Sequence, residues 1–206
     1  MARISKQPDE RKTELMETAE RLFMEKGFAS VRVSDIVSAM GVAQGTFYYY
    51  FQSKDEVMVA LLEQKWMEIA RLIAQRLAAE PDPVARLAGA LARMVVPGGL
   101  AADPRYRLLF DPAVTGAFHP DFDTARVNSL FPVMLNVIEY GIAQGVFPQY
   151  ENTREVVRIV FLGISAYFHQ TEAEALPAAL PSVCELIEHV LDLPKGTLKM
   201  NLFEVK

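Results

Sequence analysis

Cysteine is almost missing from this sequence: Cys184 is the single example in 206 residues. An internal disulfide is therefore excluded, and a reducing, cytoplasmic setting is the simple expectation. On the ninth predicted helix, that thiol reads as buried structure rather than as a redox group. Long apolar runs are lacking too. No stretch approaches the ~18 residues a membrane span needs, and "IVFLGISAYF" (159–168) reads as a buried helix. The opening "MARISKQPDERK" is too polar for the apolar part of a signal peptide. There is no glycine-rich phosphate loop, no nucleophile–base pair and no paired metal-ligand spacing. "FHPDFD" offers His119, Asp121 and Asp123, but in one short loop with no second ligand cluster, so no metal is expected. These absences speak against an enzyme and against a cofactor.

An excess of positive charge is also missing. The net charge is −5, which on its own argues mildly against a nucleic-acid partner. The distribution softens that objection, because residues 1–54 balance at +1 and residues 55–206 at −6. What the chain does have is apolar content. At 51% hydrophobic and 23% charged residues it can bury a sizeable core.

Helical periodicity runs from end to end, and no segment pairs strict alternation with a tight hairpin turn, so the fold class is all-α with about nine helices. The pattern predicts a first helix from about Asp9 to Lys26, closed by Gly27 in a left-handed conformation with Phe28 folded back on the last turn. A second helix is predicted from an N-cap at Ser34 to Met40, with Asp35 favouring its positive end, and a third from Gln44 to Tyr50. "SKDE" reads as a capping box, Glu56 reaching back to the Ser53 N–H, that opens a long fourth helix from Lys54 to about Ala79. Further helices are expected from Pro83 to about Val96, from Asp103, from Asp123 to Gln144 with a kink at Pro132, from Thr153 to Glu174, and from Pro181 to Leu191. Residues 111–122 read as irregular. The predicted division is 1–54 and 55–206.

The first three helices carry the functional signal. Two short helices joined by the three-residue connection Gly41-Val42-Ala43 form the pattern of a helix-turn-helix, whose second helix enters the major groove. That second helix, "QGTFYYY", is followed by Phe51. Phe47 and Phe51, four apart, should anchor it. Tyr48, Tyr49, Thr46 and Gln44 then point outward, where tyrosine hydroxyls can donate to phosphates and a glutamine amide can pair with adenine. Gly45 would let the backbone approach closely, and Lys54 would clamp a phosphate at the start of the fourth helix. A protein-binding patch or plain core packing is the alternative use of such rings.

Over residues about 9–60 the chain resembles the TetR family of bacterial transcriptional repressors, through the ordered elements of "AERLFMEKGFASVRVSDIVSAMGVAQGTFYYYFQSKDEV". The resemblance implies a homodimer with an N-terminal DNA-binding domain and a larger helical C-terminal domain that binds a small effector and dimerises. It implies double-stranded operator DNA as partner and repression as the default, although activators use the same scaffold. Carried over by position, the DNA contacts fall on Ser34, Gln44, Gly45, Thr46, Tyr48, Tyr49 and Lys54, with Arg32 beside them. Family members often carry a basic residue near position 44 or 52, where this chain has glutamine, a difference that bears on affinity and operator sequence.

In the C-terminal part, Trp66, Met94, Phe118, Phe131, Met134 and Tyr140 are candidates for an apolar effector pocket, with Arg107, Asn136 and His169 as polar residues that could orient a ligand. Ordinary core packing is the competing account of each. On the eighth helix Val156, Val160, Phe161, Ile164 and Phe168, and on the ninth Val183, Leu186, Ile187, Val190 and Leu191, supply apolar stripes. They suit either an internal core or a four-helix bundle between two subunits, the latter agreeing with the interface the resemblance implies.

Overall fold

The computed structural model describes residues 8–95, 103–170 and 175–198, apart from the side chains at 8–9, 94–95, 168–170 and 176–177. Among the described residues every regular element is helical, as the periodicity predicts. They group into two compact units, Met1–Lys65 with Leu108–Phe122, and Trp66–Arg107 with Asp123–Lys206. The division therefore differs from one cut after Lys54, because the first unit takes in the opening turns of the fourth helix and a later segment.

In the first unit, α1 (Pro8–Lys26) buries Leu15, Ala19, Leu22 and Phe23 along one stripe. Gly27 follows with φ 78° and ψ 143°, so φ is positive as expected but the residue leaves the helix extended rather than left-handed helical. A 3-10 turn, Phe28–Ser30, results. Phe28 still folds back, its ring 5.0 Å from that of Phe23 and edge-on. Helix α2 (Val33–Met40) has its N-cap two residues earlier than predicted. Arg32 is its N-cap and donates its backbone N–H to Asp35 Oδ2 at 2.8 Å, so the aspartate, not Ser34, defines the start. Gly41 ends α2 at φ 65°, ψ 34°, a left-handed conformation that glycine adopts at no steric cost. Helix α3 (Gln44–Tyr50) then runs to Phe51.

Helix α4 (Lys54–Ala78) opens with the Glu56 N–H donating to Ser53 Oγ at 3.1 Å. The Glu56 carboxylate accepts from the Gln52 N–H at 2.6 Å, one residue upstream of the predicted partner. Residues 111–122, expected to be irregular, contain α6 (Pro112–Ala117) and the start of α7 (His119–Ala143). Pro112 and Pro120 sit in first turns, where a missing N–H breaks nothing, and Asp111 caps α6 by accepting the Ala113 N–H at 2.9 Å. They are start signals that read, in sequence, like breaks.

The second unit holds the rest of α4 and α7, with α5 (Pro83–Val95), α8 (Thr153–Gln170) and α9 (Leu176–Val190). The expected helix after Asp103 is a 3-10 helix, Pro104–Phe110. Its Tyr106 is fully buried and donates to Glu68 Oε1 at 2.9 Å. Burial, and then that hydrogen bond, push the phenol up to about 12. Buried Arg86 closes the α4–α5 turn: its Nε donates to Glu80 O at 2.8 Å, and its guanidinium stacks 3.5 Å above the Tyr140 ring. Helix α7 continues through Pro132, which lies on the exposed side. Beyond its end Phe147 folds back on Gly141, where an added Cβ would lie 2.0 Å from the ring. Helix α9 starts well before Pro181, which is carried inside it. Its Glu188 is buried and accepts the Leu198 N–H at 2.6 Å and the Gly196 N–H at 2.9 Å, which hold its carboxyl below the usual range. No described helix is long and apolar enough to cross a membrane.

Candidate nucleic-acid interface

Two phenylalanines decide what α3 exposes. Phe47 is completely buried and Phe51 nearly so, with ring centroids 6.2 Å apart, and they fasten the helix to the α1–α2 core. Helix geometry then turns the intervening tyrosines outward: Tyr48 is 52% and Tyr49 74% exposed. Exposed apolar rings gain little from water, so a surface that presents two of them on one short helix suits a partner. Gln44 and Gly45 are exposed at the start of the same helix, and Thr46 is half-buried beside them. An added Cβ at Gly45 would meet nothing within 4 Å, so the bare backbone there faces open space. Arg32 and Ser34 are exposed at the start of α2. Six of the eight sequence-derived contacts thus lie exposed on α2 and α3 or at the N-cap of α2, and Thr46 lies half-buried beside them.

Lys54 is different. Its Nζ donates to Phe28 O at 2.9 Å, Ala29 O at 3.3 Å and Val31 O at 2.9 Å, and sits 4.4 Å above the Phe28 ring. An ammonium has three hydrogens, and all three are used inside the chain. The side chain closes the 3-10 turn ahead of α2 instead of reaching outward as a clamp. Phe28 is in turn packed edge-on against Phe118, ring centroids 5.0 Å apart. No sequence signal marks this role, because the lysine and the carbonyls it satisfies are more than twenty residues apart.

The second unit contains a cavity of about 70 Å³. Its walls come from Leu87 and Leu91 on α5, Leu130, Met134 and Ile138 on α7, Val156, Val157, Val160, Phe161 and Ile164 on α8, and Ile187, Val190 and Leu191 at the end of α9. Arg126, Tyr150 and Ser165 are its polar residues. Of the candidate effector residues, Met134 lines it and the others described do not. Trp66 is core on α4, Phe118 packs in the first unit against Phe28, and Phe131 lies tilted against Phe161 behind the wall. Tyr140 donates to Pro81 O at 2.9 Å, and Arg107 and Asn136 are exposed. The side chains of Met94 and His169 lie outside the described residues. Periodicity identified these residues as apolar-facing without telling which of several apolar faces encloses space. The missed residues, chiefly Arg126 and Ser165, look in sequence like ordinary helix positions.

The α8 stripe divides similarly. Val156, Val160, Phe161 and Ile164 face the cavity, whereas Ile159, Leu162 and Tyr167 are exposed on α8 and Leu186 on α9. Phe168 lies outside the described side chains. Val183 and Ile187 are buried within the unit, as is Cys184.

A glycine-turned pair of short helices, the second anchored by two phenylalanines and open on its outer face, defines the helix-turn-helix class. Residues 15–61 match the family of bacterial regulatory proteins called tetR. This N-terminal domain is of the TetR family. The HTH-type transcriptional regulator EthR of Mycolicibacterium smegmatis is 38% identical over 55 residues, 27% of this chain and 25% of that protein. The HTH-type transcriptional repressor KstR2 of Mycobacterium tuberculosis is 37% identical over 62 residues, 30% of this chain and 31% of that protein. The match thus spans about a quarter to a third of these relatives' length. The whole chain shares its fold with RolR in complex with resorcinol, at a TM-score of 0.65 and 17% identity over 97% of this chain and 98% of that one. The fatty acid degradation regulator FadR from Bacillus halodurans aligns at a TM-score of 0.52 and 20% identity, over 96% and 100%.

Proposed function

We propose that this protein is a DNA-binding transcriptional regulator, by default a repressor, that binds a near-palindromic operator as a cytoplasmic homodimer and is released by a small effector. The observation that carries the reading is the α3 surface, with Phe47 and Phe51 inward and Tyr48 and Tyr49 outward. In the major groove, Gln44 reads a base edge, Thr46, Tyr48 and Tyr49 contact phosphates, sugars and thymine methyls, and Gly45 admits the backbone. Arg32 and Ser34 approach the phosphates at the start of α2, where the helix end adds partial positive charge. Exposed Ile159, Leu162, Tyr167 and Leu186 support pairing of α8 and α9 with those of a second copy. Two recognition helices would then fall about 34–36 Å apart, in successive major grooves. An effector in the second unit acts by preferring a dimer whose helices are spaced differently, and a coupling of ~1–3 kcal/mol changes operator affinity about 5- to 150-fold.

The test is fluorescence anisotropy of labelled duplex from the gene's own upstream region, at two salt concentrations. A regulator binds that duplex in preference to random sequence and weakens steeply as salt rises. Equal binding to both duplexes, or none, removes the reading.

A further inference from the structure

An apolar cavity needs neither a guanidinium nor an unsatisfied hydroxyl in its wall, and this one has both. Ser165 is 8% exposed, and its Oγ has no hydrogen-bond partner among the described residues. Most buried hydroxyls find one, so the exception calls for a missing partner. Arg126 meets one carboxylate oxygen, Asp123 Oδ1, at 3.1 Å, a contact that engages one arm of a fork built to hold two. The third polar residue, Tyr150, donates its hydroxyl hydrogen to Val190 O. The wall therefore offers hydrogen-bond donors, and it contains no acidic side chain.

The two donors belong to the same end. Helices α7 and α8, joined by a short connection, pack antiparallel with Phe131 beside Phe161, ring centroids 6.0 Å apart. Arg126 lies a little over one turn before Phe131, and Ser165 about one turn after Phe161, so the antiparallel register brings them level. Away from that end the lining is aliphatic apart from Phe161 and Tyr150. At ~10–15 Å³ per water, the cavity of about 70 Å³ holds on the order of five to seven waters, room for a short-chain acid of roughly four to six carbons.

We propose that the cavity binds a short aliphatic monocarboxylate, its carboxylate held by Arg126 and Ser165 and its tail lying among Leu130, Met134, Val160 and Ile187. The proposal deepens the effector reading above and rests on it. It disfavours cationic ligands, which would meet the Arg126 guanidinium and no acidic side chain in the wall itself.

Isothermal titration of the full chain with hexanoate, hexan-1-ol and hexylammonium tests it. Hexanoate should bind at least about tenfold more tightly than the alcohol, since a charge-assisted pair replaces a neutral one, and the ammonium should not bind. Arg126→Gln should bring acid and alcohol to within about twofold, and Ser165→Ala should weaken hexanoate by roughly three- to tenfold. Asp123→Asn, which frees the guanidinium fork, should tighten hexanoate; this variant keeps the test open should Arg126→Gln not fold. Equal affinity for acid and ammonium, an unchanged acid-to-alcohol ratio in Arg126→Gln or an unimproved affinity in Asp123→Asn overturns the proposal, as does no binding of any straight-chain acid from butanoate to octanoate. Anisotropy on operator DNA without ligand, run on the same preparations, separates the two failures. Specific DNA binding without acid binding overturns the ligand class alone, whereas acid binding without specific DNA binding strikes the regulator reading.

Discussion

Replacing Lys54 by methionine distinguishes two uses of one cation. In the structure its ammonium makes three hydrogen bonds to backbone carbonyls, at 2.9, 3.3 and 2.9 Å, and lies over the Phe28 ring. Hydrogen bonds from a charged donor contribute ~1.5–3 kcal/mol each, and the low end applies to a half-exposed site with one long contact. Three such bonds give ~4–5 kcal/mol, and the cation–π contact adds ~0.5. Ordering a lysine side chain costs about 2 kcal/mol of rotamer entropy. The net loss in Lys54→Met is therefore about 2.5–3.5 kcal/mol. For a chain of this size that lowers the thermal midpoint by roughly 5–14 °C. Circular dichroism melting measures that shift, and anisotropy on operator DNA below the melting range supplies the salt dependence. The slope of log K against log salt should be unchanged, because no phosphate contact has been lost. An unaltered midpoint together with a slope smaller by ~0.9 per subunit would refute the argument and restore the phosphate clamp.

Three other outcomes are expected. Tyr49→Ala, at a position 74% exposed, should leave stability within about ±0.5 kcal/mol yet weaken operator binding in anisotropy; its neighbour Gln44→Ala should lose ~1–3 kcal/mol of discrimination at one base pair, measured on a set of singly substituted duplexes. Gly141→Ala places a methyl on the Phe147 ring and should cost ~1–3 kcal/mol in urea unfolding, with the added change Phe147→Leu recovering part of it. The Glu188 carboxyl titrates lower in the fold than in the unfolded chain, so its contribution is present above the ordinary glutamate range of about 4.3 and is lost as pH falls through its lower folded value. Wild type should therefore lose thermal stability over that acid interval more steeply than Glu188→Gln, and parallel curves would contradict the assignment.

What was legible in the sequence follows from how far each signal reaches. Phe47 and Phe51, Gly41 and the Leu15–Ala19–Leu22 stripe act within a turn or two of helix, and their roles are readable from spacing alone. Asp35 set the N-cap of α2 two residues ahead of the more familiar serine cap, a local competition that spacing does not settle. Pro112 and Pro120 were ambiguous because proline both ends helices and begins them. The cavity and the Lys54 tie were not legible at all. Each depends on side chains brought together from distant segments, and an apolar position on a helix looks the same in sequence whether it faces a neighbour or an empty space.

The anchoring of α3 separates two demands that usually conflict. The side chains that hold the helix in place are Phe47 and Phe51, with Thr46 half-buried and Tyr48 edge-on to Phe47, while Gln44 and Tyr49 are exposed. Those two exposed positions can be rewritten with little damage to folding. The domain can thus drift from one target sequence to another through viable intermediates, and a library randomised at these sites should be rich in folded proteins.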